Sequence, residues 1–242
     1  MKLAAVMLLV MTRRIWHKER ASVLETASAM YRKGLVIASS GNVSMRCPSD
    51  KRNLMAITAA GKDYESLTLD QIVVVDFEGN PVVGDAIPSS EMLLHKAIYE
   101  ARPEIQSVMH THSLYASAIA VAGHEIPPLI DEMIILLGGN IRVSEYSTPG
   151  SEELGVAVVK ALGDRNAAII RNHGAVGVGQ SPKSALRSCE LVERLAHIYF
   201  LGKTLSMAAE SPADIAQLPA DVVSTEIALF KMQMSQGEEN RR

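Results

Sequence analysis

Residues 107–113 read Ser-Val-Met-His-Thr-His-Ser, a short apolar run that ends in two histidines at i and i+2. Alternate residues of a strand point to one face, so His110 and His112 aim two imidazoles at one point. A second apolar run, Ala167–Arg171, ends in the same way and leads into Asn172-His173-Gly174. Three imidazoles that converge leave a fourth coordination position open, which is the pattern of a catalytic zinc site rather than a structural one. A lone histidine is more often a satisfied core or surface residue; the set of three is what points to a metal. His17, His95, His124 and His197 stand singly. Glu91 and His95 share a helix face at i and i+4, and such an isolated pair does not make a site.

Outward from this stretch, helices and strands interleave. The spacing predicts helices over His17–Lys33, Ser89–Ala101 (with a serine at or near its N-cap), Leu114–Val121, Ser151–Leu162 and Pro182–Leu201. Strands are expected at Asn42–Cys47, Leu54–Ala59, Ile72–Phe77, Pro81–Val83, Ser107–Thr111, Ile141–Glu145, Ala167–Arg171 and Ala175–Val178. Tight turns such as Pro48-Ser-Asp and Glu78-Gly-Asn-Pro81 join several strand pairs, which argues for a mixed or antiparallel sheet covered by helices. No repeat or linker is evident. We expect a single domain over 17–230, an extension over 1–16 and a polar tail over 231–242. The extension is apolar at Leu3–Met11 and charged afterwards at Arg13 and Arg14, the wrong order for a secretory signal. Met11 is an alternative start.

A chain of 242 residues with 48% hydrophobic content can bury an ample core. Its net charge of −3 offers no basic footprint for nucleic acid, and no apolar run is long enough to cross a membrane. The only two cysteines, Cys47 and Cys189, lie far apart with no CxxC neighbour, so a reducing, cytoplasmic setting is expected.

Three small polar turns could hold an anion. Pro88-Ser89-Ser90-Glu91 opens a helix, where free amides and hydroxyls suit a phosphate. Ser39-Ser40-Gly41-Asn42 and Thr58-Ala59-Ala60-Gly61 are the other two. Each alone reads as an ordinary turn; beside a metal site they point to a phosphorylated substrate. Glu91 is either a carboxylate favoured by the helix dipole or a metal-adjacent general acid and base.

The ordered set Ser-Gly-Asn-x-Ser, Ile-Thr-x-x-Gly, Pro-Ser-Ser-Glu, His-x-His, Gly-Gly, Pro-Gly-Ser-x-Glu-Leu and Asn-His-Gly resembles the class II aldolase/adducin family from about Glu19 to Phe200. The resemblance implies a three-layer αβα sandwich with a mixed, largely antiparallel sheet. It also implies a homotetramer of fourfold symmetry with active sites at subunit interfaces, acting on a phosphorylated sugar. By the same resemblance His110, His112 and His173 are zinc ligands, with Glu91 the catalytic carboxylate that also touches the metal. Gly41, Asn42, Ala60, Gly61, Ser89 and Ser90 form the phosphate cradle. The implied activity is zinc-dependent cleavage of a ketose 1-phosphate to dihydroxyacetone phosphate and an aldehyde.

Two positions depart from the family's fuculose-phosphate-cleaving members. Ala60 stands where they carry a hydroxyl, and Glu132 stands where they carry a tyrosine near the aldehyde. As a second catalytic group, Glu132 could donate a proton only from a protonated carboxyl, and ionised it would act as a base. This shifts the expected substrate toward a five-carbon deoxy or thioether ketose 1-phosphate. Epimerase, dehydratase and decarboxylase activities of the same family are alternatives; the epimerase's own His and Asp set is not found. An adducin-like interaction module without catalysis is the alternative of another class.

Overall fold

The computed structural model describes residues 16–49, 52–208 and 214–239. The expected extension therefore lies outside the described residues, apart from Trp16. In chain order the elements are α1 (His17–Arg32), β1 (Asn42–Cys47), β2 (Leu54–Thr58), β3 (Ile72–Asp76), β4 (Pro81–Val83), α2 (Met92–Ala101), β5 (Ser107–Thr111), α3 (Leu114–Ala122) and α4 (Asp131–Leu137). Then follow α5 (Glu152–Leu162), β6 (Ala167–Ile170), β7 (Gly174–Gly179), α6 (Pro182–Met207) and α7 (Ala220–Glu239).

The seven strands form one sheet in the order β4-β3-β2-β1-β5-β7-β6. Every ladder in it is antiparallel. The parallel component expected of a mixed sheet reduces to one isolated bridge, Val143 to Ile169. β2, β3 and β5 are buried along their whole length, so both faces are covered and the strands read as near-continuous apolar runs.

The pleat sorts the two faces. Val108, Val176 and Ile57 pack with Leu94 and Ile98 of α2 and Leu154 and Val158 of α5. On the other side Met109, Ala56 and Val74 pack with Val23 and Met30 of α1 and with Cys189 of α6. Toward the β6 edge, Ile169 and Ala175 are covered by α3, α4 and α6. The result is the expected αβα sandwich. Both cysteines are free and buried, and no helix among the described residues is long and apolar enough to cross a membrane.

Three expectations are corrected. Ile141–Glu145 is not a strand; it contributes only the bridges Ile126–Ile141 and Val143–Ile169. Helices α4 and α7 were not anticipated. The second helix begins at Met92 rather than Ser89, with Glu91 itself in the N-cap position and no side-chain capping bond.

Candidate metal centre and anion cradle

β5 and its neighbours build the site. Asn42 of β1 stands directly opposite His110 of β5, and Val176 of β7 flanks His110 on the other side. His110 is therefore in the middle of the sheet and fully buried. Its Nδ1 bonds the Ala175 carbonyl at 2.9 Å. A carbonyl only accepts, so Nδ1 carries a proton and Nε2 is the ring nitrogen that faces the site.

His112 lies one residue past the strand, held by a bond from its amide to the Leu35 carbonyl. His173 sits in the turn between β6 and β7, where Asn172 takes a left-handed conformation with φ 55°. The next residue has to be glycine: a Cβ on Gly174 would lie 2.2 Å from the Thr111 carbonyl oxygen. Gly41 is constrained in the same way, since a Cβ there would meet the His110 carbonyl oxygen at 2.6 Å. These close approaches account for the glycines of Ser-Gly-Asn and Asn-His-Gly.

The three rings form a nearly threefold cluster. Their centroids are 4.7–4.8 Å apart and their planes meet at 69–71°. His110 Nε2 is 2.8 Å from His112 Nε2. Glu91 closes the set, with Oε2 3.1 Å from His110 Nε2 and Oε1 3.3 Å from His173 Nε2. One ligand-type atom from each of the four lies within 4.8 Å of every other. Glu91 Oε1 is buried and accepts no hydrogen bond among the described residues. Three nitrogen donors and a carboxylate with a spare buried oxygen are a donor set that fits a divalent cation.

The electrostatics agree. Burial pushes the Glu91 carboxyl up, but the hydrogen bond from His110, the pull of the neighbouring imidazoles and the Asn42 amide outweigh it and hold the carboxyl at about 2. Burial, with the neighbouring rings, lowers His112 to about 4 and also lowers His173. The carboxylate is charged and these two rings are neutral at pH 7, the protonation states that a metal site needs.

The three turns come together beside Glu91. Ala59 bridges Pro88, and the Ser89 amide bonds the Thr58 carbonyl. Tyr64 donates its hydroxyl to the Gly41 carbonyl at 2.7 Å and its amide to Ala38. Within the cluster some donors are already engaged. The Ala60 amide bonds Ile87, and the Met92 and Leu94 amides bond Ser89 and Glu91. Asn42 directs Nδ2 to Glu91 Oε2 at 3.0 Å and its Oδ1 to His95. Ser89 Oγ accepts from the Glu91 amide, while Ser90 and Gly61 are exposed.

Glu132 stands apart from this cluster. It opens α4 and pairs with Arg194 of α6 at 2.7 Å, with both side chains largely exposed. Sequence reasoning set His95 aside, yet it is fully buried next to Asn42.

A profile for the Class II Aldolase and Adducin N-terminal domain matches residues 21–200. The chain is 31% identical over 197 residues to a 5-deoxy-D-ribulose 1-phosphate aldolase from Bacillus thuringiensis serovar kurstaki, covering 81% of this chain and 91% of that one. It is 35% identical to the L-fuculose phosphate aldolase of Escherichia coli K12, covering 76% of this chain and 83% of that protein. Among solved structures, an L-fuculose 1-phosphate aldolase superposes with a TM-score of 0.80 at 31% identity, covering 89% of this chain and 97% of that one.

Proposed function

The chain belongs to the class II aldolase and adducin family, and from that premise we propose that it is a zinc-dependent aldolase of ketose 1-phosphates. One observation carries the reading: the Glu91 carboxylate and three imidazoles converge within 4.8 Å beside three turns that can hold a phosphate.

His110, His112, His173 and Glu91 would hold the ion. A bound divalent ion would supply Lewis-acid neutralisation of the negative charge that develops on the substrate's oxygens. The remaining work falls to the chain. Ser90, Ser89, Gly61 and the second Nδ2 hydrogen of Asn42 hold the phosphate, which fixes the reacting carbons and reduces the entropic part of the barrier. Gly41 lets the β1 turn approach closely. With the Ala60 amide bonded to Ile87, the Gly61 amide takes its place in the cradle.

In the condensation direction the ionised Glu91 removes a proton from C3 of dihydroxyacetone phosphate. The C–H electron pair moves toward the C2 carbonyl. C3 then attacks the aldehyde carbon, and the aldehyde oxygen takes up a proton. In cleavage the C4 hydroxyl loses its proton, the C3–C4 bond breaks, and the acid form of Glu91 returns a proton to C3.

The substrate class is a five-carbon ketose 1-phosphate with a deoxy or thioether tail. Supporting this are Glu132, which replaces the tyrosine of fuculose-phosphate-cleaving members, and the relative named for 5-deoxy-D-ribulose 1-phosphate. The working form is a homotetramer in a reducing, cytoplasmic setting. Exposed apolar side chains on α3 and α6, Leu114, Val121, Leu201 and Leu205, offer a face for subunit contact. The deciding experiment is a screen of ketose 1-phosphates for triose phosphate release with zinc supplied. No release from any of them, in protein that holds the metal, would overturn the reading.

A further inference from the structure

Behind Glu91, away from the three rings, runs a chain of buried polar groups that, Asn42 apart, the reaction above does not use. Asn42 Nδ2 bonds Glu91 Oε2 at 3.0 Å. Asn42 Oδ1 meets His95 Nε2. His95 Nδ1 lies 2.6 Å from Ser44 Oγ, which lies 2.8 Å from the Tyr99 hydroxyl. Asn42, Ser44, His95 and Tyr99 are each at most 2% exposed.

The direction of every bond follows from its end. A carboxylate only accepts, so Asn42 must turn its amide nitrogen to Glu91 and its oxygen to His95. That oxygen also only accepts, so His95 carries its proton on Nε2 and receives one at Nδ1. Ser44 therefore donates to His95 and accepts from Tyr99. The opposite tautomer would turn the amide oxygen of Asn42 toward the carboxylate, two acceptors face to face. Burial holds the His95 ring neutral, lowering it to about 3, so it supplies one donor and one acceptor rather than a charge.

We propose that His95 is a positioning residue for Glu91: through Asn42 it locks the carboxylate in the rotamer that faces the metal and C3. The proposal rests on the aldolase reading for its kinetic consequence but not for its structural one. Outer partners that orient a metal-site group are commonly worth 10- to 100-fold in affinity or rate. A hydrocarbon at position 95 leaves Asn42 Oδ1 without its donor, frees the amide to turn over, and releases Glu91. Glutamine at 95 keeps an N–H donor in reach of Asn42.

The experiment has two arms. In the metal-free protein, nitrogen-15 NMR of the histidine rings reads the tautomers without any substrate. His95 is expected as the Nε2–H form and His110 as the Nδ1–H form; His95 as Nδ1–H overturns the proposal. In the second arm His95→Leu should lower kcat roughly 10- to 100-fold, change KM little and weaken zinc binding by a similar factor, while His95→Gln recovers most of both. In a Glu91→Gln background, His95→Leu should cost little more, because the group it positions is already gone. Full multiplication of the two losses, or no rescue by glutamine, overturns it. If His95→Leu does not fold, the tautomer and the glutamine variant still decide. If the wild type cleaves no ketose phosphate, the functional reading fails while the tautomers and zinc affinities still test the positioning.

Discussion

His110 Nε2 and His112 Nε2 lie 2.8 Å apart, and with Nδ1 of His110 bonded to the Ala175 carbonyl it is Nε2 that faces that gap. Two such nitrogens rest comfortably only around a shared cation or proton. Purified protein is accordingly expected to hold about one divalent ion per chain, most readily zinc. His112→Ala should empty the site and leave the circular dichroism spectrum unchanged, since His112 lies outside the ladder of β5. Full occupancy in that variant would sink the metal assignment.

Glu91→Gln keeps the shape of the side chain and an oxygen that Asn42 can bond, but removes the proton acceptor. Turnover should fall on the order of a hundredfold or more, and most of the metal should remain. Near-normal turnover would mean that another group moves the C3 proton.

Ser89 and Ser90 are expected to separate. Ser90 is exposed beside the Gly61 turn, so Ser90→Ala should raise KM for a ketose phosphate and leave kcat nearly unchanged. Ser89 Oγ also accepts from the Glu91 amide, so Ser89→Ala should change both constants. Equal cleavage of the free sugar and its phosphate would show that the cradle is misassigned.

The metal-free protein should lose stability as pH falls below about 6.5, the ordinary value for histidine. His95, His112 and His173 are all lowered in the fold, to about 3 and about 4 for the first two. The unfolded chain then binds protons that the native state does not, so stability rises with pH through this window and falls as pH is lowered. Urea midpoints of metal-free protein at pH 7.5, 6 and 5 should decline in that order. The decline should be shallower in His95→Gln; a flat series would show that the rings are not held neutral.

For the aldehyde side, wild type should cleave 5-deoxyribulose 1-phosphate and 5-methylthioribulose 1-phosphate faster than L-fuculose 1-phosphate. Glu132→Tyr should narrow that preference. If wild type prefers fuculose 1-phosphate and the tyrosine changes nothing, Glu132 serves only its ion pair with Arg194.

The parts that could be read from the sequence are those whose signals are local. Asn42–Cys47 and Ser107–Thr111 fall where the alternation and flanking turns put them. Asp131–Leu137 is seven residues, too short for helical periodicity to stand out. α7 is held by tertiary packing, with the Phe230 ring seated against Gly138, which no window around residue 230 contains. Ile141–Glu145 has strand composition but meets its neighbours only at isolated bridges. The candidate ligands were legible because His110 and His112 stand two residues apart at the end of one apolar run. The connection of His95 to Glu91 was not, because it passes through Asn42, 53 positions away from His95, and depends on the β1–β5 register.

The tight fit of Gly41 and Gly174 has a consequence for how this pocket can diversify. Any side chain at Gly174 meets the Thr111 carbonyl oxygen, and any at Gly41 meets that of His110, so the floor under the imidazoles admits no new group without moving the central strand. New substrate preferences are expected to arise from residues outside this floor, which can be exchanged without disturbing β5. The architecture thus separates a part that fixes the chemistry from a part free to change what the chemistry is applied to.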